Sequence, residues 1–322
     1  MHTKNFSKII LFPKIQADTT VAAYLLKNFG GKMFPGIEKA NFAFLTELPE
    51  GKTPHDFEQG GVIVLDLGGG RFDHHAYNER HEKKESVATL VALHLGIEDN
   101  VVFKKILAWA KRDDLDGKGT ISDDPLDRAF GLSGIIMNLN RQYFAEPKKI
   151  LEILFPILNV HVQEEMRRNI ELPKTWDNLL QTGEAKVHVV RQGKRKIKIA
   201  QITSDDIALA GFVRAAKMID LVVQRRSSGH INIITKQARK VNLRAFIYQI
   251  RVFEIRKQGN AILPSDDRLI AAGRIAEVPE WFYDIAANTI QNGGVNPGTI
   301  PPTRLTLDEV VSIVKETLAH TV

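Results

Sequence analysis

The chain has 322 residues, 43% of them hydrophobic and 25% charged, and 44 Lys and Arg against 38 Asp and Glu leave a net charge of +6. That length suits two domains, each able to bury a core, and no apolar run nears the roughly 20 residues that cross a bilayer, so a cytoplasmic protein without a membrane partner is expected. The absence of cysteine excludes disulfides, thiolate zinc sites and thiol nucleophiles; any metal must sit on His and carboxylate, and the positive balance suits an anionic partner such as nucleic acid, nucleotide or phosphate.

The opening "MHTKNFSKIILFPKIQADTT" has too short an apolar core for a signal peptide and reads as a first strand. "KIILF", "TTVAAYLLKNFG", "FAFL", "VIVLDL" and "ESVATLVALHLG" then alternate strand-like runs with helical periodicity. This is the rhythm of an α/β layer, a largely parallel sheet flanked by helices. Val62 to Leu67 is nearly all apolar, as a strand covered on both faces must be. A more helical stretch runs from about Val101 to Leu180, with Pro156 expected to kink or break it.

A second, smaller α/β domain is expected from Glu184. "AKVHVVRQGKRKIKIAQI" reads as a hairpin turning at Gln192-Gly193, "DDIALAGFVRAAK" as a helix, and "IDLVVQ" and "HINIIT" as strands. Thr306 and Glu309 stand in capping-box positions at the head of a terminal helix, "TLDEVVSIVKETL". The turn-forming segment from Asn292 to Arg304 reads as the loop before it. The expected domains are 1–145 for metal binding, 146–183 as a helical connection and 184–322 for substrate binding.

Chemistry concentrates where the apolar runs end. Asp18 follows the first strand, and Asp66 follows "VIVL" and precedes three glycines and then Asp73, His74 and His75. Asp113, Asp114 and Asp116 crowd "WAKRDDLDGKG" behind a helix. Ligands gather at strand ends in open α/β sheets, and acids with an imidazole suit hard cations such as Mn²⁺ or Mg²⁺. Helix caps, turns and surface histidines explain each element separately; their recurrence at element ends favours one shared pocket.

These residues resemble the ordered motifs of the DHH phosphoesterase superfamily and, within it, the melanocyte-proliferating-gene group of metal-dependent 3′-to-5′ exoribonucleases. "QADTTVAAYLL" is similar to a first motif H-x-D-E, "DLGGGRFDHH" to D-x-G-G…R-Y-D-H-H, and "RDDLDG" to D-x-x-D-N-G. "ESVATLVALHLG", "LSGIIMNLNRQY" and "VQEEMRR" resemble the group's helical segments, and the likeness covers about residues 8 to 170. It implies one ion held by Asp18, Asp66, His74 and either Asp116, the preferred choice, or Asp113. It also implies an imidazole oriented by Asp73 and a phosphate contacted by His75. The second ion of that superfamily uses positions that here hold Gln16 and Leu11 or Phe12, and Thr19 replaces a Glu. An amide and an apolar side chain do not hold a hard cation, so one ion is expected rather than two.

Elsewhere, Lys194, Arg195, Lys196 and Lys198 make a basic hairpin that reads either as a phosphate track or as a solvated tip. Arg225, Arg226, Gly229 and His230 resemble the glycine-rich element with which the superfamily's accessory domain grips a substrate phosphate, and a plain hairpin turn explains them equally. "PEWFYD" offers aromatics for stacking but reads as core. His81 is a loop contact at most. The sequence thus predicts a metal-dependent phosphodiesterase acting on RNA ends or short oligonucleotides, with a catalytically silent RNA- or nucleotide-binding protein as the rival; a homo-oligomer stays open.

Overall fold

A computed structural model describes residues 4–80, 84–293 and 298–319. His81 and part of the Asn292 to Arg304 loop, residues 294–297, lie outside the described residues. The chain forms two compact units, Met1–Asn169 and Ile170–Val322. Both are mixed α/β, as the alternation of runs predicts.

The first unit is built on β1 (Lys8–Leu11), β2 (Asn41–Phe44) and β3 (Val62–Val64), with α1 (Ala17–Phe29) after β1 and α2 (Pro54–Gln59) before β3. The strand order is β2-β1-β3 and every pairing is parallel, with Lys8 opposite both Asn41 and Val62. Central β1 buries Ile9, Ile10 and Leu11, as a doubly covered parallel strand must. Because β1 and β3 are parallel neighbours, their C-terminal ends lie on one rim. That rim receives Asp18 from the head of α1 and Asp66 from the exit of β3.

Helices α3 (His74–Arg80), α4 (Val87–Leu95), α5 (Lys104–Asp116), α6 (Pro125–Phe130), α7 (Leu132–Gln142) and α8 (Pro147–Met166) complete the unit. Helix α1 packs against α4, α5 and α8. Its Tyr24 meets Phe155 edge-on at 5.7 Å and donates its hydroxyl to Asn159 at 3.2 Å. Of the kink or break expected at Pro156, the break does not occur: the residue lies inside α8. Proline removes one N–H from the ladder, and the buried stripe of Leu151, Leu154, Leu158 and Val162 holds the helix through it. The 146–183 stretch expected as a connection is divided: α8 belongs to the first unit and α9 (Leu172–Thr182) packs on β4 in the second.

The second unit has a seven-stranded sheet of order β4-β5-β6-β7-β10-β9-β8. Its strands are β4 (Ala185–Gln192), β5 (Arg195–Thr203), β6 (Leu221–Arg225), β7 (Ile231–Thr235), β8 (Gly273–Ile275), β9 (Val278–Asp284) and β10 (Thr289–Asn292). Among its described residues only β5 and β6 pair in parallel, across helix α10 (Ile207–Ala216). Helices α11 (Arg244–Lys257), α12 (Asp266–Leu269) and α13 (Leu307–Ala319) follow the chain to its end. The Thr306–Glu309 capping box forms in both directions, at 2.8 and 3.2 Å. Trp281 and Tyr283 of "PEWFYD" are core residues on β9.

Candidate metal centre

The turn after β3 brings the chemistry together. Asp66 sits at φ +56, a left-handed conformation uncommon for a residue with a side chain, and its N–H donates to Phe72 O at 2.8 Å. Two of the three following glycines are dictated by space. A Cβ on Gly68 would lie 2.4 Å from Leu48 Cδ1, at a φ of +76, and one on Gly70 would lie 2.6 Å from Pro54 Cβ. The loop therefore folds tightly over α2 and returns the chain at Asp73.

Asp73 caps α3. Its carboxylate accepts the His75 N–H at 3.0 Å and the Gly69 N–H at 2.8 Å. These bonds give Asp73 a backbone role that fixes where α3 begins. His74 and His75 fall in the first turn of that helix, with ring centroids 3.9 Å apart. His74 is buried and His75 exposed.

His74 lies among three carboxylates. Its Nδ1 is 2.9 Å from Asp66 Oδ1 and 4.0 Å from Asp18 Oδ2, and its Nε2 is 3.6 Å from Asp114 Oδ2. His74 Nδ1 and Asp66 Oδ1 thus form a close buried ion pair, and Asp114 Oδ2 is buried without a hydrogen-bond partner among the described residues. Asp18, only 1% exposed, is anchored by the N–H groups of Thr19 at 2.7 Å and Val87 at 3.3 Å. Asp18, His74 and Asp114 present ligand atoms all within 4.8 Å of one another, and so do Asp66, His74 and His75.

The electrostatics match this crowding. Burial, then the Asp114 and Asp66 charges, push the Asp18 carboxyl up to about 7 against the pull of the Thr19 N–H and His74. Burial also raises Asp114, with Asp66 adding to it and His74 opposing. For His74, burial disfavours the imidazolium, but contact with Asp66 and the charges of Asp66, Asp114 and Asp18 outweigh it and lift the ring to about 9. Like charges this close in a dry site call for a cation.

The two donor groups, which share His74, are each of a kind that could hold a hard divalent ion. Carboxylates with an imidazole suit Mn²⁺ or Mg²⁺, and a buried polar atom such as Asp114 Oδ2 needs something to satisfy it. The third acid differs from the expectation. Asp116 is exposed at the end of α5 and belongs to neither group, whereas Asp114 supplies the ligand atom. The buried positions Ile106, Leu107 and Ala110 of α5, extended at helical spacing, reach residues 113 and 114 but not 116; that spacing is the signal in the sequence. Asp113 lines the adjoining cleft. Gln16 is exposed as the N-terminal cap residue of α1, Leu11 is buried in β1, and Phe12 is 39% exposed. None is a carboxylate or imidazole, so the donors of a second ion are lacking there.

The four residues expected to grip phosphate fall in the β6–β7 hairpin. Arg226 N–H donates to His230 O, and Gly229 N–H to Arg226 O, both at 2.9 Å. Gly229 has φ +85, and Arg225 pairs with Ile231 in the ladder. His230 is buried, with Nδ1 3.0 Å from Ser228 Oγ and Nε2 3.0 Å from Ile300 O. The basic hairpin residues Lys194, Arg195, Lys196 and Lys198 are exposed at the β4–β5 turn.

No family model matches the chain, and no curated protein matches it. A crystal structure of an uncharacterized protein from Helicobacter pylori G27 is similar over 97% of this chain and 98% of that one, at 12% identity and a TM-score of 0.24. Among the described residues no helix is long and apolar enough to cross a membrane.

Proposed function

We propose that the first unit is a metal-dependent phosphodiesterase of the DHH type, acting on RNA ends or short oligonucleotides through a single divalent cation. The observation that supports this reading is the gathering of Asp18, Asp66 and Asp114 around buried His74, in two ligand groups that share that imidazole. These four side chains would hold the ion. Bound there, a Mn²⁺ or Mg²⁺ ion supplies Lewis acidity toward a phosphoryl oxygen and lowers the pKa of water. The chain does the rest. Asp73 fixes the start of α3 and so the position of both histidines, and exposed His75 would hydrogen-bond a phosphoryl oxygen. The net charge of +6 favours encounter with a polyanion.

The test is release of mononucleotides from short RNA with added Mn²⁺, beside Asp66→Ala and His74→Ala variants. Loss of Mn²⁺-dependent release in both variants supports the reading; equal activity in all three proteins discards it. A second reading, a catalytically silent protein that binds RNA or nucleotide, is favoured by Gln16 and Phe12, which withhold the donors of a second ion. It predicts ligand binding without turnover.

A further inference from the structure

The cleft beside the acid cluster carries two cations that the proposed centre leaves unused. It has a volume of about 900 Å³, and its walls are the segment between β1 and α1, the end of α5 and one side of α7. Lys14 and Arg141 both line it, and neither forms an ion pair among the described residues. Their two walls are fastened together. Asn140 accepts the Ile15 N–H at 2.9 Å and donates its amide to Ile15 O at 2.7 Å, so the segment carrying Lys14 is held against the helix carrying Arg141.

The same cleft exposes apolar surface. Phe144 is 79% exposed, Met137 53% and Phe12 39%, and all three line it. Phosphate-seeking cations beside open aromatic faces form the pattern that proteins use for nucleotides, whose bases stack on aromatic side chains irrespective of sequence. Charge decides when such a ligand enters. Lys14 and Arg141 share the lining with Asp18, Asp113 and Asp114, so two cations face three acids, and a divalent ion on the acids turns the balance positive. An anion and a cation that each improve the other's environment bind with reciprocal positive coupling.

We infer that this cleft takes one nucleoside monophosphate unit, free or as the end of an RNA strand, with its phosphate toward Lys14, Arg141 and the acid-bound cation and its base against Phe12, Met137 and Phe144. The inference rests on the proposed metal centre and names the residues that would select the substrate.

Calorimetric titration of the intact chain with adenosine monophosphate, ribose 5-phosphate and adenosine, each with and without Mn²⁺, tests it. Adenosine monophosphate is expected to bind tightly only with Mn²⁺ and roughly tenfold better than ribose 5-phosphate, the worth of a stacked base. Lys14→Ala and Arg141→Ala are each expected to weaken it by roughly tenfold or more, as loss of a charge-assisted contact does, with the Mn²⁺ titration unchanged. Phe144→Ala should bring it toward ribose 5-phosphate. Lys14, Arg141 and Phe144 are all exposed, so the fold tolerates these changes, and the Mn²⁺ titration verifies it. Wild-type affinity in both charge variants, equal affinity for the two phosphates, or binding indifferent to Mn²⁺ would overturn the inference. Hydrolysis of a short oligoribonucleotide by the same preparations separates the two conclusions. Mn²⁺-coupled binding without hydrolysis removes the phosphodiesterase and leaves the cleft. Hydrolysis in variants that bind adenosine monophosphate like wild type removes the cleft and leaves the phosphodiesterase.

Discussion

The Nδ1 of His74 stands 2.9 Å from Asp66 Oδ1, a buried ion pair with two more carboxylates, Asp18 and Asp114, beside the ring. The imidazolium is thus the counter-charge among three acids, and in the proposed function a divalent ion would take its place.

Mn²⁺ should therefore stabilise the chain. A ligand bound only by the native state, at about 100 times its Kd, adds about 2.7 kcal/mol, which for a unit of this size is several degrees in Tm. His74→Ala and Asp66→Ala should abolish the increment. Asp114→Asn should abolish it too while leaving the metal-free Tm equal or higher, because burial and Asp66 already disfavour the charged carboxyl there. Thermal denaturation with and without Mn²⁺ checks all three; an undiminished increment in the variants would remove the centre.

The pH dependence has a definite sign. Asp18 rises from 3.8 to about 7 and His74 from 6.5 to about 9, so the native metal-free protein holds more protons than the unfolded chain across both intervals. Its stability is fully present at the acid end of each interval and is lost as pH climbs, through Asp18 between about 4 and 7 and through His74 between about 6.5 and 9. A cation displaces those protons, so Mn²⁺ affinity should tighten from about pH 6 to about pH 8.5 with proton release on binding. Calorimetry in buffers of different ionisation enthalpy measures both; affinity independent of pH would contradict the assignment of His74 as a ligand.

Asp73 tests whether the DHH triplet is wired through backbone or side chain. Its carboxylate accepts the N–H groups of His75 and Gly69, so Asp73→Ala should cost about 1 kcal/mol, as loss of a helix cap does, and loosen both histidines. Asp73→Asn retains a capping oxygen and should keep most of the stability and the Mn²⁺ response. Chemical denaturation of the pair decides. A collapse of Mn²⁺ binding in Asp73→Asn at unchanged stability would restore the imidazole-orienting role.

Asp18 and Asp66 were legible because each follows an apolar run that is visibly a strand, and parallel neighbours end on one rim. Between Asp113, Asp114 and Asp116 the sequence offers three acids on one helix at 100° steps. The choice depends on which face α5 turns inward; Ile106, Leu107 and Ala110 set that face, and their spacing leaves out Asp116 without separating Asp113 from Asp114. The caps were legible where they are local, as at Thr306 and Glu309. Helix α11 was not, because Arg251 and Glu254 are fully buried on it and interrupt the apolar spacing that marks a core helix. The short strands β8 to β10 were equally obscure, since they are held by pairing with each other and with β7 and carry little period-two pattern of their own.

Arg251 supplies the last prediction, in the second unit. It is wholly buried, and its guanidinium donates to the carbonyls of Leu269, Ala271, Gly273 and Trp281 at 2.6 to 3.2 Å. Burial lowers its pKa to about 10, with Arg268 adding to that and Glu277 opposing; the group stays charged at neutral pH. It thus ties together the carbonyls where α12, β8 and β9 meet. Arg251→Met keeps apolar bulk but strands four acceptors, and each unsatisfied buried polar group costs about 1–3 kcal/mol. A loss of at least about 3 kcal/mol is expected, with an unfolding midpoint lowered accordingly. Arg251→Lys should recover only part of it, because an ammonium cannot span the fork. The Mn²⁺ response belongs to the first unit and should survive in whatever fraction stays folded. Denaturant titration measures the stability term and Mn²⁺ titration the site, and a neutral Arg251→Met would show that solvent reaches those carbonyls.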